Sequence, residues 1–168
     1  MSAIDAVDEL TMDVLKPLNV WSRSDEEIGR LMSHFAHTPF VLDGVEFGSV
    51  EAFYTWLHIV DNEPKRAKVA PLWGPRSKYE CPKTFLAEFD YHGRSIRFGS
   101  PEYYELILRA NRAKLAAHPD IASAFLATHP RPIVHELPDK DDAHEIFCSI
   151  MRKLRDELVR DIGIPVGH

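Results

Sequence analysis

The sequence predicts an α+β domain, rich in helix and carrying small antiparallel hairpins. Three observations predict it. Two stretches alternate apolar and polar residues across a tight turn, at Asp43-Gly44 and at His92-Gly93. From Ser100 onward apolar residues recur at helical spacing, punctuated by Pro119, Pro130 and Pro132. No internal repeat or low-complexity tract interrupts the 168 residues, a length suited to one domain with a substantial core.

Ala6, Leu10 and Val14 lie near helical spacing ahead of Pro17, so residues 1–18 read as a short helical extension and 19–168 as the domain proper. Arg23 to Gly29 is polar and irregular, and its acidic run Asp25-Glu26-Glu27 reads as solvent-facing. Phe40 to Leu42 are strand formers; Asp43-Gly44 tolerates positive φ, and Val45 to Phe47 returns along the partner strand. Gly48 breaks that strand and Ser49 caps a helix, on which Val50, Phe53, Tyr54 and Leu57 form one apolar stripe at i, i+3, i+4 and i+7. Glu51 falls in its first turn, where the helix dipole favours the charged carboxylate.

Lys65-Arg66-Ala67-Lys68 reads as a solvated helix face, and Pro71, Gly74, Pro75 and Pro82 mark an ordered loop around a packed Trp73. Phe85, Ala87, Phe89 and Tyr91, then Ile96 and Phe98, give the second hairpin. Ser100-Pro101 is a cap with an N1 proline, opening a helix to about Ala117 whose face carries Tyr104, Leu108 and Leu115, with Ile107 and Asn111 beside them. Pro119 opens another, carrying Ile121, Phe125 and Leu126, and Ile133 to His135 reads as a short strand. The last helix runs from about Asp142 to Val159, with Ile146, Phe147, Ile150, Met151, Leu154 and Leu158 buried against a charged face of Lys153, Arg155, Asp156 and Glu157.

The composition is globular, 45% hydrophobic and 27% charged. A net charge of −6 argues against broad binding to a phosphate backbone, while leaving room for a single nucleotide or one modified base. Cys81 and Cys148 are too few for a disulfide framework, which fits a reducing cytoplasm. No long apolar run or signal-peptide pattern points to a membrane. Nine histidines are scattered without ligand spacing, so no metal and no cofactor is expected.

Ser33-His34-Phe35, with His where the family has Asn, and then Asp43-Gly44, Phe47, Ser49 and Glu51 without a gap, resemble the YbiA/NADAR family of N-glycosidases. Val20-Trp21-Ser22 before the acidic loop, Arg112 to Leu115, Leu126 to Thr128 and Ile133 to Glu136 extend the resemblance over roughly residues 19 to 158. It implies a YbiA-like fold and a hydrolase that cleaves the bond between a (phospho)ribose or ADP-ribose and a nucleobase or base-like amine. Its partner would be that small ribosylated molecule. Such a reaction passes through an oxocarbenium-like state, which a carboxylate stabilises, and the resemblance gives that role to Glu51. Taken alone, a glutamate at this position is more commonly a solvated first-turn charge, and the resemblance is what gives Glu51 its role.

A second acid is expected after Ile133 to His135, where Asp139, Asp141 and Asp142 compete and Asp139 is favoured. Ser33 and His34 belong to the binding motif, and Trp21, Phe35, Phe47 and Trp56 are the rings available to stack a base or to fill the core. The chain also departs from the family. His58 stands where the family carries a lysine, which removes a Schiff-base route but leaves a group that ordinarily titrates near neutrality. The family's tryptophan before the long helix is replaced near Phe98-Gly99, and Lys140 to His144 replaces a Trp-Gly segment. These departures keep a second reading open, a nucleotide-binding module that has lost catalysis.

Overall fold

The computed structural model describes residues 15–84, 86–138 and 145–162. In chain order the elements are β1 (Leu18–Asn19), α1 (Glu27–Met32), β2 (Phe40–Leu42), β3 (Val45–Phe47), α2 (Val50–Leu57), α3 (Glu63–Val69), α4 (Pro75–Tyr79), β4 (Glu88–Tyr91), β5 (Arg94–Arg97), α5 (Pro101–Ala117), α6 (Pro119–Leu126), β6 (Ile133–Val134) and α7 (Glu145–Asp161). The class is α+β, as the sequence predicts. The expected extension over residues 1–18 falls almost wholly outside the described residues. Two compact units divide the chain, one continuous over residues 34–119 and one assembled from the segments on either side.

In the continuous unit, β2 and β3 pair antiparallel, with Phe40 opposite Phe47 and Leu42 opposite Val45. Asp43 (φ 48°) and Gly44 (φ 82°) make the turn from two left-handed residues, the geometry that matches strand twist. His92 (φ 52°) and Gly93 (φ 77°) repeat the device between β4 and β5. Ser49 then does two things. Its Oγ accepts the Ala52 N–H at 3.0 Å, capping α2, and donates to the Leu72 carbonyl at 3.1 Å.

Gly48 lets that 70–72 segment approach. A Cβ there would lie 2.3 Å from the Pro71 oxygen and 2.7 Å from the Leu72 oxygen, both backbone atoms that cannot swing aside. Gly48→Ala is therefore expected to cost about 1–3 kcal/mol, read as a lower urea midpoint at unchanged slope; an unchanged midpoint would show that the corner is not close-packed.

Ser100 caps α5 by accepting the Tyr103 N–H at 3.2 Å, with Pro101 at the first helical position. The buried face of α5 is Tyr103, Leu106, Ile107, Leu108, Ala110, Asn111, Lys114 and Leu115, so Tyr103 rather than the expected Tyr104 points inward. Lys114 has no exposed surface, and burial pulls its ammonium down to about 7.

The second unit is stitched by a parallel pair, Leu18 opposite Ile133 and Asn19 opposite Val134. Asn19 extends it with its side chain, donating to the Glu136 carbonyl (3.2 Å) and accepting the Glu136 N–H (3.0 Å). Glu26 is not a free surface charge: the Arg131 fork holds it at 2.6 and 2.9 Å and keeps its carboxyl below the ordinary range.

The stripe of α7 also differs from expectation. Cys148, Met151, Leu154, Arg155 and Val159 are buried, and Ile146 is 54% exposed. Arg155 turns inward because the turn after α6 offers acceptors: its guanidinium donates to Thr128 Oγ1 (3.1 Å) and to the Arg131 carbonyl (2.6 Å). Among the described residues no helix is long and apolar enough to cross a membrane.

Candidate functional site

Glu51 occupies the second helical position of α2, and its N–H donates to the His34 carbonyl at 3.0 Å. The side chain is half-buried. The sequence suggests that the helix dipole would favour its charge, yet burial wins: it pushes the carboxyl up to about 7, against the opposing pull of the Lys78 ammonium. A first-turn carboxylate in water would instead keep its proton affinity at or below the ordinary range.

Tyr54 lies three residues on and shares that helical face. Its hydroxyl is pushed up to about 12, first by burial and then by the charges of Cys81 and Glu51. The Tyr103 hydroxyl hydrogen-bonds with that of Tyr54 and is itself held far above its ordinary range, mainly by burial. Lys78 comes from α4, docked on α2 through Thr55 Oγ1, which donates to the Ser77 carbonyl at 3.0 Å. From sequence this stretch reads as an ordered loop, which hides Lys78. The signal was present in Gly74-Pro75, a proline at the first helical position.

His58 closes α2 as its C-cap and is only 6% exposed. Its ring sits among Tyr54 (4.8 Å between centroids), Phe98 (5.1 Å) and Phe89 (6.1 Å). Burial there pulls its proton affinity down to about 4, which keeps the imidazole neutral at pH 7. Phe98 is 38% exposed and also packs on Tyr103 at 4.8 Å, which puts an accessible ring against His58.

The other expected residues divide. His34 joins Glu51 through its carbonyl, and its ring Nε2 meets Asn111 Nδ2 at 3.1 Å. The Phe35 carbonyl accepts the Gly74 N–H at 2.9 Å, and Phe35 is half-buried. Phe47 is core: 1% exposed, with Phe53 at 5.1 Å and Trp56 at 5.7 Å, it has no face for a base. Trp56 is half-buried under its own cation, with the Arg66 guanidinium 4.1 Å from its ring centroid. Trp73, expected to be packed, is 52% exposed and stacks on His37 at 5.2 Å.

Trp21 and Ser33 belong to the other unit. Trp21 is half-buried with the Arg23 guanidinium 5.8 Å from its ring centroid, and the buried Ser33 closes α1 with its N–H on the Arg30 carbonyl (3.2 Å). Asp139, Asp141 and Asp142 lie outside the described residues.

A separate cleft of about 440 Å³ opens beside Asp43, Tyr91, Ile96, Leu106 and Arg109. Within it Asp43 accepts from Tyr91 at 2.5 Å and from Arg109 at 2.8 Å, and His92, Arg94, Glu102 and Glu105 also line it. Glu51 lies outside that lining. A carboxyl with proton affinity near 7 exists in both protonation states around neutrality, and so can donate a proton to a leaving nitrogen or stabilise positive charge.

Neither a protein-family model nor a curated protein sequence matches the chain. Among solved structures, the NMR structure of the E. coli protein YbiA matches it with a TM-score of 0.63 at 15% identity, covering 92% of this chain and 94% of that one. At that identity the likeness establishes the fold.

Proposed function

We propose that this YbiA-like fold carries an N-glycoside hydrolase acting on a ribosylated nucleobase or base-like amine. The observation that carries the reading is Glu51, a half-buried carboxyl raised to about 7 at the corner the sequence motif marks. In its ionised form it stabilises the oxocarbenium-like state and activates water; protonated, it assists the departing base. Phe98, open to solvent against neutral His58, offers the ring on which a base stacks. The resemblance calls for a second acid after β6, for which Asp139 is favoured over Asp141 and Asp142.

One observation favours the alternative, a binding module without turnover. The family's lysine position holds His58, enclosed by aromatic rings and uncharged at neutrality, so no amine or acid is supplied there. Incubating the protein with ribose 5-phosphate-linked and ADP-ribose-linked bases and measuring free base decides between them. Release that Glu51→Gln abolishes supports the hydrolase. No release, with the intact nucleotide raising the melting temperature, supports the binding module.

A further inference from the structure

We infer that Asn111 is a positioning residue for Glu51, acting through His34; this rests on Glu51 being the working carboxyl of the site. Asn111 lies on α5 with no exposed surface. Its amide nitrogen sits 2.9 Å from the Ile107 carbonyl and 3.1 Å from His34 Nε2. A carbonyl only accepts, which fixes Nδ2 as the nitrogen and gives one of its hydrogens to Ile107. The second hydrogen goes to His34, so Nε2 accepts and the neutral ring carries its proton on Nδ1.

The clamp continues along the backbone. The His34 carbonyl takes the Glu51 N–H at 3.0 Å, and the next carbonyl, Phe35, takes the Gly74 N–H at 2.9 Å. The Glu51 N–H is one of four that a helix start leaves without an intrahelical partner. Ser49 serves Ala52, while the acceptor for Glu51 is a residue whose own ring is tied down. Asn111 is thus three links from the carboxyl: amide, imidazole, backbone.

Packing alone does not account for an asparagine here. Its buried neighbours on α5 include Ile107, Leu108 and Leu115, and its Oδ1 is buried with no hydrogen-bond partner among the described residues. An apolar residue would avoid that orphaned acceptor. What leucine lacks is the paired donation from Nδ2.

The test uses the full chain and two readouts that do not need turnover. Imidazole 15N shifts of wild type are expected to show His34 as the Nδ1–H tautomer; the Nε2–H tautomer overturns the inference. The Glu51 carboxyl, titrated by 13C NMR, is expected to lose at least about tenfold in proton affinity in Asn111→Leu and in His34→Leu, as the first turn of α2 loosens and water reaches the carboxyl. His34→Gln, which keeps an acceptor for Asn111, is expected to retain the wild-type titration within about twofold. An unchanged titration in folded Asn111→Leu or His34→Leu overturns the inference, and if Asn111→Leu does not fold, the two His34 variants and the wild-type tautomer decide it. With base release as readout, kcat of Asn111→Leu falls about 10- to 100-fold at little change in KM, the scale of misplacing a catalytic group. Absence of base release from the wild type overturns the hydrolase reading and leaves this one to the NMR readouts.

Discussion

Glu51→Gln is expected to lower base release by at least about a hundredfold, the usual loss when one positioned charged group is removed, while making the protein more stable at pH 8. The amide is nearly isosteric and mimics the protonated acid. The Glu51 carboxyl is raised from 4.5 to about 7, so the folded protein holds a proton that the unfolded chain has released. Its contribution is fully present below about 4.5 and is lost as pH rises through about 7. At pH 8 wild type bears the whole cost of the buried charge, on the order of 3 kcal/mol, and Gln removes it; at pH 4 the two proteins differ little. Rates and urea midpoints at both pH values check the pair of effects. Equal rates remove Glu51 from the mechanism, and equal midpoints at pH 8 remove the buried charge.

His58→Phe is expected to expose a pH dependence that wild type conceals. His58 is lowered from 6.5 to about 4, so its contribution is present above about 6.5 and is lost as pH falls through about 4. The slopes of His58 and Glu51 are opposite. Between about 4.5 and 6.5 the folded state carries one proton on Glu51 and the unfolded state carries one on His58, so these two groups together leave stability flat. Phenylalanine fits the ring of Tyr54, Phe89 and Phe98 and carries no proton. The variant should therefore lose about 3 kcal/mol of stability between pH 4.5 and 7.5, on top of any constant offset. Urea midpoints at four pH values across that window test it, and parallel curves for variant and wild type would refute the compensation.

The local rules were legible. Asp43-Gly44 and His92-Gly93 announced both hairpins, and Ser49 and Ser100 announced their helices, because turn and cap chemistry are properties of a few adjacent residues. What the sequence concealed depends on partners far along the chain. The pairing of Leu18 with Ile133 has no periodicity to read in two-residue strands. Arg155 belongs by composition to the charged face of α7 and turns inward for carbonyls it meets only in the fold. At the site, the position of Glu51 was legible from motif and cap, but its proton affinity, the neutrality of His58 and the presence of Lys78 arise from burial and from helix packing. Phe47 and Trp56 show the same limit: aromatic identity does not tell a stacking surface from core.

The parallel strand pair sets an order on synthesis. Leu18 must wait for Ile133, 133 − 18 = 115 residues later, which at about 5–20 residues per second is about 6 to 23 s of translation. Residues 34–119 are synthesised whole within that interval, and in the fold their two ends are tied, His118 Nε2 meeting the Pro39 carbonyl at 2.8 Å. Every residue of the unit that carries Glu51 is therefore made before the first strand of the other has its partner.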